Sequence, residues 1–155
     1  MNDQNQLIEI FQKTGALLEG HFILTSGRHS PTYFQCAKVL QYPEYLQKFS
    51  NEIANHFQDI DIDIVITPAV GGIVLGTEIG RQLNKQTMFA EREQGIMTLR
   101  RGFEINPEAN VLIVEDVITT GKSALECNSL VKRNGAVTVG YSCIIDLSLI
   151  HISEP

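Results

Sequence analysis

The sequence predicts an α/β fold built on a doubly wound parallel sheet, with a small N-terminal segment packed to one side. Strand-like and helix-like patterns alternate from residue 62 onward, as in chains whose parallel strands are joined by helical crossovers. The strand-like segments are continuous runs rich in Val and Ile, which is typical of strands buried on both faces. Glycine-containing turns separate strand from helix at residues 68–72 and 119–123.

Length and composition indicate one compact domain. The chain has 155 residues, of which 43% are hydrophobic, enough for one sizeable core. Its net charge of −6 disfavours a nucleic-acid-binding surface, and no apolar run approaches the ~20 residues of a membrane span. The polar N-terminus lacks the basic region of a signal peptide, and the three cysteines lack metal-type spacing. These features predict a cytoplasmic protein without nucleic-acid or membrane partners.

The first forty residues predict a helix and then an antiparallel strand pair. Asp3 can cap a helix whose apolar face includes Leu7 and Phe11, and Gly15 can end it. Two short apolar runs, at residues 22–24 and 32–36, flank a Ser-Gly-Arg-His-Ser-Pro turn. This pattern is typical of two strands joined by a turn.

Residues 43–83 predict a helix, a strand, a turn and a second helix. Pro43–Phe57 carries aromatic and aliphatic residues at helical spacing, and residues 62–67 are saturated in Ile and Val, as a central strand is. The turn at residues 68–72 opens the helix Ile73–Leu83, where free backbone N–H groups and the helix dipole can bind an anion. Its two adjacent glycines are a weak signal by themselves.

A charged segment follows a short strand at residues 87–90. Residues 91–102 contain Arg92, Arg100 and Arg101 but little regular pattern. One interpretation is a solvated connecting loop. The other is a mobile lid whose cations neutralise an anionic leaving group.

The most informative stretch is residues 111–123, Val-Leu-Ile-Val-Glu-Asp-Val-Ile-Thr-Thr-Gly-Lys-Ser. Its four aliphatic residues indicate a buried strand. The turn that follows opens a helix, so its backbone N–H groups, its hydroxyls and Gly121 can cradle a phosphate. The carboxylates of Glu115 and Asp116 would repel that phosphate unless they bind neutral hydroxyls beside it. A ribose 5-phosphate carries hydroxyls on one side and a phosphate on the other, and so fits both parts.

Two other interpretations of this stretch are available. Gly121-Lys122-Ser123 matches the end of a nucleotide-binding P-loop, but that motif requires a glycine five residues earlier, where this chain has Asp116. We therefore reject the P-loop. The stretch could also be an ordinary strand–loop–helix connection in which a Thr or Ser caps the helix. Capping alone does not explain the acidic pair.

The last regular elements complete the parallel sheet. Residues 123–134 form a helical pattern ended by Gly135, and residues 136–146 form a strand rich in Val, Ile and Cys. Ligands of doubly wound sheets bind at the carboxyl ends of the strands. The turns at residues 68–72 and 119–123 both fall there, so we expect the two turns to converge on one site.

Residues 111–123 resemble the phosphoribosyl-pyrophosphate (PRPP) signature of the type I phosphoribosyltransferases. Within that superfamily, residues 25–31 (Thr-Ser-Gly-Arg-His-Ser-Pro), followed by Tyr33 and Phe34, are similar to the N-terminal segment of the orotate phosphoribosyltransferases, which forms a hood over the base. The chain departs from that family's usual pattern at Thr25 and Gly71, where lysine is common. The family's Lys-x-His downstream of the position of Arg92 is also absent.

The resemblance implies an enzyme that converts orotate and PRPP to orotidine 5′-phosphate and pyrophosphate in de novo pyrimidine (UMP) biosynthesis. It implies Mg²⁺ carried in by PRPP, with no metal ligands on the protein. It also implies a homodimer in which the loop around Arg92 reaches the partner's site. Positioning and charge stabilisation would carry the catalysis, because orotate can enter as an anion.

The same resemblance assigns roles to individual residues. The predicted PRPP-binding residues are Glu115, Asp116, Val117, Ile118, Thr119, Thr120, Gly121, Lys122 and Ser123. The predicted orotate-binding residues are Thr119, Tyr33 and Phe34. The predicted pyrophosphate loop is Ala69, Val70, Gly71 and Gly72. The predicted catalytic residues are Arg92, Arg100 and Asp116, with Arg101 as the alternative to Arg100.

We expect a single domain over residues 1–146, with the hood segment at 1–40 and the PRPP-binding core at 41–146. Residues 147–155 (Leu-Ser-Leu-Ile-His-Ile-Ser-Glu-Pro) resemble the translation of a sequencing-library adapter. They are therefore expected to be a non-native tail on a C-terminally truncated enzyme. The family has an arginine directly after the aspartate equivalent to Asp146, and that arginine contacts the orotate carboxylate.

Two other functions stay open at this stage. The PRPP signature is shared across its superfamily, so the acceptor could be a purine or another base, although residues 26–28 of the hood favour orotate. The chain could instead be a non-catalytic regulator that senses PRPP and binds nucleic acid. The net charge of −6 and the lack of a basic stripe disfavour that alternative.

Overall fold

A computed structural model of the chain describes residues 3–24 and 27–147. The chain divides into two compact units, Met1–Leu46 and Gln47–Pro155, which we describe separately. The elements follow in the order α1 (Asp3–Lys13), β1 (Leu17–Ile23), β2 (His29–Phe34), α2 (Cys36–Leu40), α3 (Pro43–Phe57), β3 (Ile64–Pro68), α4 (Ile73–Leu83), β4 (Gln86–Glu93), β5 (Ile96–Leu99), β6 (Asn110–Ile118), α5 (Lys122–Arg133) and β7 (Val137–Asp146).

The N-terminal unit packs α1 beside the hairpin of β1 and β2. Phe11 of α1 is fully buried, and its ring meets the Phe34 ring edge to face with 5.7 Å between centroids. β1 and β2 pair antiparallel, as predicted, but both begin earlier in the chain than expected. The second strand also ends earlier than predicted, because Cys36 already begins α2. Thr25 and Ser26 of the predicted hood turn lie outside the described residues.

The second unit contains, within the described part of the chain, a five-stranded sheet in the order β5-β4-β3-β6-β7. β3 pairs in parallel with β4 and β6, and β6 pairs in parallel with β7. β5 runs antiparallel to β4 at one edge. Helix α4 connects β3 to β4, and α5 connects β6 to β7. The predicted α/β fold with a mostly parallel sheet and helical crossovers is therefore confirmed.

Apolar side chains cover both faces of this sheet. β3 is buried along its whole length, so its alternate residues contribute to both layers. One layer joins Ile64 and Ile66 of β3 to Cys127 and Val131 of α5. In the other, a Cβ on Gly140 would lie 2.6 Å from the ring of Phe57, so the missing side chain lets α3 approach β7. No helix in the described ranges is long and apolar enough to cross a membrane.

Helix α4 lies close to the sheet because two of its residues have no side chain. A Cβ on Gly76 would collide with the side chain of Thr67 in β3, and one on Gly80 would collide with that of Thr87 in β4. The two glycines are four residues apart and therefore share one face of the helix. This close packing fixes the start of α4, and with it the turn at residues 68–72, near the end of β3.

Two expectations about the sheet are wrong. Residues 91–102 were expected to lack regular structure, but β4 continues to Glu93 and Ile96–Leu99 forms β5. Gln94 and Gly95 make the turn between them, with φ of 51° and 82°, which suits a two-residue hairpin turn. The strand expected at residues 111–114 is β6, which continues to Ile118 because β7 pairs with it as far as Asp146.

Candidate active site

The turn after β3 meets the acidic pair of β6. The two strands are parallel neighbours, so the turns that follow them leave the same edge of the sheet. A Cβ on Gly71 would lie 2.5 Å from Oδ2 of Asp116, and a Cβ on Gly72 would lie 3.2 Å from the carbonyl oxygen of Val114. The backbone at residue 71 therefore lies directly against the Asp116 carboxylate. The structure brings these two predicted site residues together.

Glu115 and Asp116 point to opposite faces of β6, because successive strand residues alternate. On one face Asp116 adjoins Gly71, and its Oδ1 accepts a hydrogen bond of 2.8 Å from the N–H of Val117. On the other face Glu115 interacts electrostatically with Arg92 and Cys127. The two carboxyl groups therefore lie on opposite faces of β6, near its C-terminal end.

The acidic pair holds its protons more tightly than ordinary carboxylic acids. Burial raises the pKa of Glu115 to about 7, the adjacent Asp116 charge adds to this rise, and Arg92 opposes it. Burial also raises the pKa of Asp116, and its hydrogen bond with the Val117 N–H opposes that rise. Carboxyl groups perturbed in this way cluster at functional sites. Burial raises the pKa of the nearby Cys127 thiol to about 12, so this cysteine stays protonated and unreactive.

The turn before α5 has the geometry of an anion-binding helix start. Gly121 occupies the N-cap position with a φ of 82°, and its carbonyl oxygen accepts a hydrogen bond of 2.9 Å from the N–H of Leu125. The N–H of Lys122 donates to Oγ1 of Thr120 at 3.3 Å. The N-cap residue is Gly121, and α5 has no side-chain cap hydrogen bond, so the simpler interpretation, in which a Thr or Ser caps the helix, is wrong. The remaining N–H groups of the first helical turn face the turn, where an anion can bind.

Arg92 lies on β4 and reaches the first turns of α5. Its Nε donates to Oε2 of Glu126 at 3.1 Å, and its Nη2 donates to Oε1 of Glu126 at 3.3 Å and to Oγ of Ser123 at 2.9 Å. The guanidinium therefore sits beside the PRPP-like signature of its own chain. Contact of this region with a partner's site stays a prediction.

The other two arginines of this region differ in how firmly they are held. Arg101 donates to both carboxylate oxygens of Glu91, at 2.8 and 3.0 Å, and its guanidinium carbon lies 5.5 Å from the ring centroid of Phe89. These contacts tie Arg101 to the hairpin. Arg100 pairs with Glu93 at 3.6 Å, and their side chains are 48% and 57% exposed. Such an exposed pair is weak, so Arg100 is the freer of the two to bind an anion.

The two predicted base-contacting aromatics have different surroundings within the N-terminal unit. Phe34 packs edge to face on Phe11, so it contributes to the packing of that unit. Tyr33 is 39% exposed, and its ring lies 5.7 Å from that of Phe22. Contact of either ring with orotate stays a prediction.

Glu126, which binds Arg92 through two hydrogen bonds, was not among the residues predicted from the sequence. Its spacing was an available signal, because Glu126 follows Ser123 by three residues and therefore lies on the same face of α5. The partner residue Arg92 is 34 positions away in sequence, which the spacing could not indicate.

Comparison with known proteins gives three informative matches. The chain is 58% identical over 146 residues to the orotate phosphoribosyltransferase of Chlorobium phaeobacteroides (strain DSM 266), a match that covers 94% of this chain and 76% of that protein. Its fold matches the crystal structure of orotate phosphoribosyltransferase from Aeropyrum pernix with a TM-score of 0.74 at 21% identity, covering 93% of this chain and 95% of that one.

The fold also matches adenine phosphoribosyl transferase from Trypanosoma brucei in complex with AMP, pyrophosphate and ribose-5-phosphate. That match has a TM-score of 0.74 at 21% identity and covers 94% of this chain and 69% of that one. Because the two structural neighbours carry names with different bases, the fold alone does not select the base. No protein-family model matches the chain.

Proposed function

This chain belongs to the orotate phosphoribosyltransferase family, and from that premise we propose how its residues transfer a phosphoribosyl group from PRPP to orotate. The reaction gives orotidine 5′-phosphate and pyrophosphate and belongs to pyrimidine biosynthesis. The observation that supports this location for the site is the close approach of Gly71, in the turn after β3, to Asp116, near the C-terminal end of β6.

The proposed PRPP site uses both turns. The N–H groups at the start of α5 and the hydroxyls of Thr119, Thr120 and Ser123 bind the 5′-phosphate, which the position of Gly121 at the helix N-cap supports. Lys122 and the backbone of Val117 and Ile118 complete the proposed PRPP-binding surface. Glu115 and Asp116 accept hydrogen bonds from the ribose hydroxyls.

The turn formed by Ala69, Val70, Gly71 and Gly72 binds the pyrophosphate. Because a side chain at residue 71 would meet the Asp116 carboxylate, this binding relies on backbone N–H groups. The same closeness would place the pyrophosphate next to the ribose carbon from which it departs. Proximity of this kind contributes much of the rate in reactions between two bound groups.

The chemistry proposed here is electrostatic. The bond between ribose C1 and the pyrophosphate oxygen breaks, positive charge develops on the ribose, and N1 of the orotate anion forms the new bond. We propose that the Asp116 carboxylate stabilises that positive charge. Arg92 and Arg100 offset the negative charge of the phosphate groups. Thr119, Tyr33 and Phe34 are the proposed orotate contacts, as the family resemblance implies.

Magnesium is proposed to enter as the PRPP complex, in which it would offset charge on the leaving pyrophosphate. Carboxylate oxygens of the Glu115 and Asp116 type suit this hard cation and its bound waters. In residues 3–24 and 27–147, no group of three or more His, Cys, Asp or Glu side chains could hold a metal ion.

We further propose a homodimer in the cytoplasm. The homodimer is what the family resemblance implies, with the loop around Arg92 reaching the partner's site. The three cysteines are all free, in keeping with a reducing compartment. Light scattering during gel filtration tests the dimer: a mass of one chain at assay concentration would contradict it.

The assay that tests the function follows the loss of orotate absorbance with PRPP and Mg²⁺, beside a panel of adenine, uracil and hypoxanthine. Turnover of orotate alone is the expected result. Turnover of another base but not orotate would reassign the acceptor. PRPP binding without turnover of any base would favour the regulator, and a salt-dependent DNA-binding assay would then decide that question.

A further inference from the structure

We propose that Glu126 is a positioning residue for the PRPP site, which holds Arg92 in place and through it orients the hydroxyl of Ser123. The proposal rests on the proposed function of Arg92 and Ser123 as parts of that site. It concerns a residue that touches no substrate itself.

Glu126 restrains Arg92 at two points. The Glu126 carboxylate accepts hydrogen bonds from Nε at 3.1 Å and from Nη2 at 3.3 Å, so it binds one edge of the guanidinium at two points. An arginine side chain has many rotamers, and a two-point hydrogen bond to a carboxylate selects one of them. The Glu126 side chain is 25% exposed, and that of Arg92 is 40% exposed, so solvent only partly screens the pair.

The restrained guanidinium makes a third contact that points toward the phosphate turn. Its Nη2 donates to Oγ of Ser123 at 2.9 Å. A serine hydroxyl has one hydrogen to donate, and an oxygen that already accepts from Arg92 keeps that hydrogen for another acceptor. Ser123 lies in the first turn of α5, directly after the proposed phosphate cradle. The arrangement therefore prepares Ser123 to donate to an anionic oxygen before PRPP arrives.

The opposite charges of Glu126 and Arg92 indicate that this pair orients a donor and does not add to the attraction of phosphate. Glu126 offsets part of the positive charge of Arg92, so the pair attracts phosphate less strongly than Arg92 alone would. A free arginine would attract phosphate more strongly at long range. What the pair supplies is a fixed donor geometry, and a fixed geometry lowers the conformational entropy lost on binding.

The chain offers a matched control for this test. Glu78 on α4 pairs with Arg81 at 2.7 Å, and its side chain is 19% exposed, close to the 25% of Glu126. Its partner lies on the same helix, three residues away, and neither residue belongs to the proposed site. Glu78→Gln therefore removes a comparable carboxylate without touching the phosphate turn.

The experiment measures the dissociation constant of PRPP with Mg²⁺ by titration calorimetry, together with kcat. Glu126→Gln should raise the dissociation constant about fivefold, as expected for a charged hydrogen-bonded pair that is partly exposed. Its kcat should change less than about twofold, because the lost interaction stabilises the bound substrate and the transition state equally. Glu78→Gln should leave both quantities unchanged. In an Arg92→Gln background, Glu126→Gln should have no further effect.

Each other outcome overturns a distinct statement. Unchanged PRPP affinity in Glu126→Gln, with weakened affinity in Arg92→Gln, overturns the positioning role. Unchanged affinity in Arg92→Gln overturns the proposed function of Arg92 itself. Additive effects of the two substitutions would show that Glu126 acts without Arg92. Should Glu126→Gln lose its melting transition, Arg92→Lys tests the same restraint, because lysine keeps the charge without the fork; wild-type affinity there would overturn the proposal.

Discussion

Replacing Gly71 by alanine tests the proposed junction of the two turns with a single added methyl group. That Cβ would lie 2.5 Å from Oδ2 of Asp116 and 3.0 Å from its Oδ1 and Cγ, whereas ordinary contact begins at 3.4 Å. One of the two groups must therefore move by about 0.9 Å, the difference between 3.4 and 2.5 Å. The Asp116 side chain is the softer partner, and its displacement also disturbs the 2.8 Å hydrogen bond from the Val117 N–H.

We expect a modest effect on stability and a larger one on PRPP binding. Loss of one hydrogen bond to a carboxylate costs about 1.5 kcal/mol, which lowers the melting temperature of a domain of this size by roughly 3–6 °C. A displacement near 1 Å at a reacting group can cost up to about 100-fold in rate, so we expect PRPP turnover (kcat/KM) to fall at least tenfold. Thermal denaturation and steady-state kinetics measure the two effects separately.

The control is Gly102→Ala, where a Cβ would meet nothing within 4 Å but the backbone has a φ of +77°. That variant should lose about 1 kcal/mol of stability from backbone strain and keep its kinetics for PRPP. The reasoning is refuted if Gly71→Ala turns over PRPP within a factor of two of the wild type while remaining folded.

Other substitutions test the acidic pair and the hood. Because burial raises the pKa of Glu115 from 4.5 to about 7, the folded state favours its protonated form. The stabilisation from this bound proton is complete below about pH 4.5 and is lost as the pH rises through 7. The melting temperature of the wild type should therefore fall relative to that of Glu115→Gln between about pH 5 and 8. Parallel curves of melting temperature against pH for the two proteins would contradict this prediction. Asp116→Asn should weaken PRPP binding without lowering the melting temperature, and an unchanged KM for PRPP would count against its ribose role. Phe34→Ala should lower stability by about 2 kcal/mol, since Phe34 packs on Phe11. Tyr33→Ala should instead raise the KM for orotate at unchanged stability, and the opposite pattern would remove Tyr33 from the site.

Much of the fold was accessible from hydrophobic periodicity. The helices Pro43–Phe57 and Ile73–Leu83 were predicted with the bounds observed, because their apolar residues recur at helical spacing and turn residues follow them. The buried strand before Glu115 was evident from its four aliphatic residues, since a strand covered on both faces needs no alternation. These are signals that one stretch of chain carries by itself.

The features that could not be predicted from the sequence depend on contacts between residues that are distant along the chain. β6 continues past Glu115 only because β7 pairs with it, and the acidic residues alone suggested that the strand had ended. The hairpin of β4 and β5 was hidden because its strands carry charged residues such as Arg92 and Glu93, although Gln94-Gly95 is a plausible two-residue turn. The Arg92–Glu126 pair likewise depends on how β4 and α5 meet.

The glycine face of α4 has a consequence for anyone who wishes to move this site into another protein. The position of the turn at residues 68–72 depends on Gly76 and Gly80, because these glycines let the following helix pack closely against Thr67 and Thr87. If the turn alone were grafted before a helix with ordinary side chains at those two positions, those side chains would hold the helix and the turn too far from the sheet. The smallest portable unit is therefore the turn together with the first two turns of its helix and the threonines beneath them.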